Sequence, residues 1–299
     1  MQLNMKMKPL LRFAPLFVQL LILSTLMVQT TFAQGTDPQL DETPPQTSTE
    51  FKFSKKLKLG ASLASYRYVE PGLIEHAGLL YGVNGEFNWD ITNMITGVLQ
   101  ADLSAGKLNY DGALCDVDTT NGSKCTAYSS STTDVILRLT HRFDFKLVDS
   151  VHFFLGPGIR YLYDKGDSSG FYTRIGMYLF APIGFKFQVP IDDESGLSLD
   201  LEYDVFLGGT MESKLSEVNS KYGDMTHRQG AGSGHKVTLG YEFNKHTANP
   251  IQVAVYYENW NIAASNKEPL IISGSASTTI FSEPKNFSES LGLKGVMTF

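Results

Sequence analysis

Apolar residues recur at every second position along most of this chain. Across residues 79–90, Leu79, Tyr81, Val83, Phe87 and Trp89 alternate with Leu80, Gly82, Asn84, Glu86, Asn88 and Asp90. An extended strand sends successive side chains to opposite faces, so period two marks a strand with one apolar and one polar face. The same register returns in Val135, Leu137, Leu139, Phe143 and Phe145, and again in Leu197, Leu199, Leu201, Tyr203, Val205 and Leu207. Ten segments carry it: 55–68, 78–89, 94–105, 133–146, 151–163, 171–189, 197–208, 235–243, 251–262 and 287–299. The chain is therefore expected to be all-β.

The gaps between these segments run 9, 4, 27, 4, 7, 7, 26, 7 and 24 residues, so short connections alternate with mostly longer ones. A soluble sandwich supplies no reason for that asymmetry. A transmembrane barrel does, because its periplasmic turns are short and its extracellular loops long. Aromatic residues cluster accordingly. Trp89, Phe143, Phe145, Phe187, Phe243 and Phe299 stand on the apolar face beside short gaps or the C-terminus, and Tyr161, Tyr163, Phe171 and Tyr257 stand near the long ones. Two aromatic bands around an aliphatic middle are what membrane interfaces select. The expected fold is a ten-stranded antiparallel transmembrane β-barrel of outer-membrane type over residues 55–299. Its partners are then the bilayer and lipopolysaccharide.

The N-terminus fits such a destination. Lys6, Lys8 and Arg12 precede an apolar stretch, and Thr31-Phe32-Ala33 offers a signal-peptidase site, so residues 1–33 read as an export signal. Residues 34–54 follow as a leader rich in proline and threonine, with too little apolar surface to offset the entropy of ordering. Removing 33 of the 299 residues takes away three bases and no acid. The remaining 266 residues carry 22 basic against 31 acidic side chains. A net charge of −9 excludes nucleic acid as a natural partner.

If the apolar face meets lipid, the alternate residues line the lumen. Arg138, Arg142, Arg160 and Arg174 then point inward from the fourth to sixth segments, and Asp200, Glu202 and Asp204 point inward from the seventh. Buried charges must be paired or solvated, so a basic stripe is expected to meet an acidic one in a network that plugs or narrows the lumen. Cys115 and Cys125 lie in a polar, turn-rich stretch, and outside the cytoplasm two such cysteines are expected to pair. The six histidines show no metal-ligand spacing, and no cofactor-binding motif appears, so neither metal nor cofactor is expected.

Two resemblances follow from particular residues. Arg160-Tyr161-Leu162-Tyr163-Asp164, Tyr178-Leu179-Phe180-Ala181-Pro182-Ile183-Gly184, Leu201-Glu202-Tyr203-Asp204, Phe206-Leu207 and Phe281-Ser282-Glu283-Pro284-Lys285-Asn286 resemble uncharacterised porin-like outer-membrane proteins of Gram-negative proteobacteria. Leu291, Leu293, Met297 and Phe299, on one face of a last strand ending in phenylalanine, resemble the signal read by the outer-membrane assembly machinery. The strand number and loop order also resemble the omptin family of outer-membrane proteases. That family carries paired aspartates after the third strand and an Asp-x-His dyad after the seventh. Here Asp116 and Asp118 occupy the first place, and Asp224 and His227 the second, with two residues between them rather than one. An extra residue in an extended chain turns the histidine to the opposite face. The expected function is thus non-catalytic, a small porin-like channel or a surface protein binding an unidentified extracellular ligand through its loops. Omptin-like endoproteolysis is the alternative.

Overall fold

The computed structural model describes residues 55–116, 124–168 and 170–299. The expected export signal 1–33, the leader 34–54 and Asp118 lie outside the described residues, as do the side chains of residues 55, 114–116 and 124–125. The strands are β1 Lys55–Glu70, β2 Ile74–Asp90, β3 Ile95–Asp116, β4 Lys124–Val148, β5 Val151–Leu155, β6 Gly158–Gly166 and β7 Arg174–Pro190. They continue with β8 Gly196–Ser213, a 3-10 turn Leu215–Glu217, β9 Met225–Gln229, β10 Gly232–Phe243, β11 Ile251–Ile262, β12 Glu268–Ile272, β13 Ser275–Phe281 and β14 Asn286–Thr298.

Strand pairing closes into a ring. From β1 it passes through β2, β3 and β4 to β5 and β6, then β7, β8, β10, β11 and β14, which returns to β1. Every pair is antiparallel, and closure leaves no open edge along the wall, which a bilayer would not tolerate. The strands β5 and β6 both lie between β4 and β7, separated by Gly156 and Pro157. Proline has no N–H to give a ladder, so the wall is stitched differently there. The His141 amide donates to the Pro157 carbonyl at 3.0 Å, and the Gly156 amide to the Pro182 carbonyl at 3.1 Å. Likewise β9 continues the line of β10 along the upper part of β8.

The strand count differs from the expected ten because fourteen strands are present among the described residues. Expected strand 151–163 is divided at Pro157, while β9, β12 and β13 form in stretches read as loops. The stretch 106–132 is not a long loop. There β3 and β4 stay paired as far as Asp116 opposite Lys124. The connection between β1 and β2 covers only residues 71–73, where a nine-residue gap was expected. In the β3 extension Leu108 and Tyr110 are buried while Lys107, Asn109 and Asp111 are exposed, so the outward apolar alternation stops while the backbone ladder continues.

The barrel is apolar outside, and its interior holds charged residues together with two apolar clusters. Leu59, Leu63, Leu79, Val83, Leu201, Leu239, Val255 and Leu293 are exposed, and Tyr81 reaches 66% exposure. Near the end bearing the short turns, rings follow one another around the outer wall. Phe87 stacks on Trp89 (5.7 Å), Trp89 on His141 (5.5 Å), and Phe153 lies 5.5 Å from Phe185. Gly97 faces Trp89 in the ladder, and a Cβ there would lie 2.3 Å from the indole. The core sits in the lumen, toward the opposite end. Leu162, Tyr178, Phe180, Phe206, Met211, Trp260 and Ile262 form one buried cluster, and Tyr66, Tyr68, Leu80, Leu108 and Ile136 a second.

Candidate functional site

Inward parity on β4 places Arg142, Arg138 and Asp134 in succession along the lumen, from the turn end toward the loop end. Arg138 reaches across to β8, which is not its neighbour in the ring. Its Nη2 donates to Glu202 Oε1 at 2.6 Å and to Asp204 Oδ1 at 3.0 Å. Arg142 Nε lies 3.0 Å from Asp144 Oδ1, and its Nη1 3.8 Å from Glu202 Oε2. All these side chains are buried. Such pairs lose hydration on burial and are held by charge-assisted hydrogen bonds.

Arg160 and Arg174 find other partners. Arg160 Nε stands 3.9 Å from Glu258 Oε1, and its Nη2 donates to Ser288 Oγ at 3.3 Å. Arg174 Nη2 binds Glu70, and donates to Glu283 Oε2 at 2.9 Å and the Tyr68 hydroxyl at 3.1 Å. Asp200 lies beside Lys186 in the β7–β8 ladder and makes no ion pair within 4.0 Å among the described residues. Sequence reasoning left Glu70 and Glu283 out of the network. Both fall beyond the segments where alternation could be read.

Each of the four arginines also lies over an aromatic face. The guanidinium carbon is 4.9 Å from the Phe180 centroid for Arg138 and 4.3 Å from Phe154 for Arg142. It is 5.3 Å from Trp260 for Arg160 and 5.6 Å from Tyr68 for Arg174. A desolvated cation over a ring face gains electrostatically, about 2 kcal/mol in favourable cases. Gly158 faces Phe180 in the ladder, and a Cβ there would stand 2.4 Å from the ring, so only glycine leaves room for this packing.

Around this filling the lumen keeps open space, most of it toward the turn end. A vestibule of about 1000 Å³ at the turn end is bordered by Lys56, Asp90, Asp144, His152, Lys186 and Glu242. Deeper in, a cavity of about 110 Å³ is lined by ion pairs that include Lys58 with Glu86 at 2.8 Å and Asp102 with Lys236 at 3.5 Å. Beyond it lie the two ring clusters. Phe180 is 0% and Trp260 1% exposed, so these rings are packed on every side.

The omptin-like residues are placed separately. Asp224 accepts from Ser216 Oγ at 2.6 Å and from the Ser216 amide at 3.1 Å, with Lys214 Nζ at 3.4 Å. Burial opposes its ionisation, but the Ser216 donors and the Lys214 ammonium outweigh that and hold the carboxyl below its ordinary value. His227 is buried on β9 opposite Met211, and its Nδ1 has no hydrogen-bond partner among the described residues. No hydrogen bond or ion pair joins Asp224 to His227 among the described residues. Asp116 ends β3, with its side chain outside the described residues. The cysteine side chains are likewise outside, though the backbone sets Cys115 directly opposite Cys125. Leu291, Leu293, Met297 and Phe299 all face outward, and Phe299 exchanges backbone hydrogen bonds with Leu57 at 2.7 and 3.2 Å.

A closed antiparallel ring with a lipid-compatible exterior and a charged interior defines an outer-membrane-type β-barrel. Among solved structures the chain is similar to the outer membrane protease OmpT of Escherichia coli. The TM-score is 0.52 with 13% identity, covering 84% of this chain and 96% of that one, a likeness of fold. The toluene transporter TodX of Pseudomonas putida (TM-score 0.32, 8% identity, 82% and 89% covered) and the attachment invasion locus protein Ail of Yersinia pestis (0.31, 10%, 82% and 99%) align more loosely. No protein-family model matches the chain, and no curated relative matches it in sequence.

Proposed function

We propose that the chain is an exported outer-membrane barrel of a Gram-negative bacterium whose lumen is closed by its own side chains and which works by binding at its loop end. Residues 1–33 act as the export signal. Counting β5 with β6 and β9 with β10, ten staves cross the bilayer, with the turn end periplasmic. The outer wall meets lipid and lipopolysaccharide, and the outward stripe ending at Phe299 serves the assembly machinery. A Cys115–Cys125 disulfide ties the tip of the β3–β4 hairpin.

The observation that carries this reading is the pair of ring clusters across the extracellular half of the lumen, capped by Arg174 with Glu70 and Glu283. A porin-like pathway needs continuous water, and here arginines are pinned between acids and aromatic faces. Binding then falls to the extended hairpins, since recognition commonly resides on loops carried by a rigid scaffold. Planar-bilayer recording tests the reading. Wild-type protein is expected to show no steady conductance, whereas the double variant F180A/W260A is expected to open discrete steps. Steady conductance of the wild type would restore the channel reading. The separation of Asp224 from His227 supports a non-catalytic protein, and peptide cleavage abolished by H227A would establish the endoprotease alternative instead.

A further inference from the structure

Three side chains distant in sequence meet near the loop end of the lumen. His76 projects from β2, Asp134 from β4 and Asp164 from β6. His76 is 1% exposed, and neither of its ring nitrogens has a hydrogen-bond partner among the described residues. Its Nδ1 faces Asp134 Oδ2 at 3.6 Å and Asp164 Oδ2 at 4.0 Å. Those separations are too long for hydrogen bonds. Bonds of about 2.0–2.2 Å hold tetrahedral ligand atoms roughly 3.4 Å apart, so Asp134 already stands near the spacing of two ligands sharing one ion and Asp164 reaches it by a small side-chain shift.

The backbone makes the same demand. Asp134 and Asp164 are direct partners in the β4–β6 ladder, where like charges repel. Glu70 and Glu283 stand nearby, and among the described residues Arg174 is the only lysine or arginine that pairs with any of these four carboxylates. Four acids around one guanidinium leave an excess of negative charge in a buried place.

The remaining surroundings orient the three groups. The Thr132 hydroxyl donates to Asp134 Oδ1 at 2.8 Å, leaving Oδ2 turned to the histidine. The His76 ring is held between Tyr68 and Tyr110, with centroids 5.5 and 5.2 Å away. A cavity of about 20 Å³ opens among Tyr66, His76, Asp134, Asp164 and Met211. One water-sized occupant needs roughly 10–15 Å³ measured this way.

We propose that His76, Asp134 and Asp164 form a binding site for one divalent transition-metal ion of the zinc class. One imidazole and two carboxylates suit such an ion better than calcium or magnesium, which prefer all-oxygen sets. Three protein ligands leave a fourth position open. The ion fastens β2, β4 and β6 at one height and offsets the opposed aspartates. The site rests on none of the residues of the Arg138 network, so an open or a closed lumen leaves it standing.

The test uses the full chain, refolded in detergent after chelation and titrated calorimetrically with Zn²⁺. One ion per chain is expected, with a higher unfolding temperature. The variant H76F, shaped to fill the slot between Tyr68 and Tyr110, should weaken binding beyond the about 100-fold that loss of an outer-shell partner costs, and D164N should weaken it as well. H246A, on the short turn after β10, should bind as wild type. Should the site variants fail to fold, as judged by heat-modifiable migration, wild-type protein loaded with Cu²⁺ decides. Its electron paramagnetic resonance spectrum should carry the coupling of a single nitrogen. No Zn²⁺ binding by wild type, undiminished binding by folded H76F, or a Cu²⁺ spectrum without nitrogen coupling would overturn the assignment.

Discussion

Arg138 is gripped at its edge by Glu202 and Asp204 and covered on one face by Phe180, so its charge is held between two acids and a ring. Removing one partner of a buried pair leaves the other charge uncompensated, at a cost of about 3–5 kcal/mol, whereas replacing both with apolar groups of similar volume can be nearly neutral. E202Q is therefore expected to lower the unfolding free energy by about 3 kcal/mol, and R138M/E202L by less than the sum of its single changes. Equilibrium urea unfolding in detergent measures both, and strict additivity would sink the network reading. Gly158 gives a sharper case. The Cβ of G158A meets the Phe180 ring, which must shift against Arg138 and Trp260. Overpacking of this kind costs about 1–3 kcal/mol, and a stability equal to wild type would mean that the plug is soft. The inward parity of Arg138, Glu202 and Asp204 was legible from period two alone. The partnership of Arg174 with Glu70 and Glu283 was not, because Glu70 ends β1 beyond the readable alternation and Glu283 lies between β13 and β14, outside any strand.

Among the elements, the β3–β4 ladder reaches farthest. With 22 and 25 residues, these strands exceed the roughly 9–11 that a tilted strand needs to cross a bilayer. Directly opposed residues in an antiparallel ladder have Cα atoms about 4.5–5.5 Å apart, within the range a disulfide bridges. Exported protein should accordingly yield no free thiol to alkylation at Cys115 and Cys125 until reduced, and labelling before reduction would refute the bond. The β8–β9 connection depends on Asp224. Its carboxyl titrates below the ordinary value, so the contribution to order is complete above about pH 4 and is lost as pH falls through the lower folded value. The protection of the Ser216 amide, corrected for the intrinsic exchange rate, should thus stay high at neutral pH and fall only in acid, while D224N lowers it at neutral pH. Equal exchange in wild type and D224N at pH 7 would contradict this. Sequence alone missed β9, β12 and β13 because short strands outside an apolar environment need no alternation. The nearness of His76 to Asp134 and Asp164 was equally hidden, since β3 intervenes between β2 and β4 and only closed pairing sets their common height.

At the scale of the whole molecule, the ring was legible because lipid imposes the same two-residue rule on every stave that crosses it. Folded protein should migrate faster than heated protein in detergent gels, and identical mobility would count against a closed barrel. The inverted polarity of the molecule has a consequence for how its sequence can drift. Leu79, Val83 and Leu293 face a fluid that adapts to whatever apolar shape it meets. Tyr178, Phe180 and Asp204 face a close-packed solid in which a change of one methylene is felt. The usual order of a globular protein, a guarded apolar set and a permissive polar one, is thereby reversed. Randomising the wall among apolar residues should leave most descendants able to fold, while randomising the lumen among polar and aromatic residues should leave few. Lineages descended from this chain would then keep their kinship in the charges and rings they enclose, while the greasy surface they present to lipid scatters.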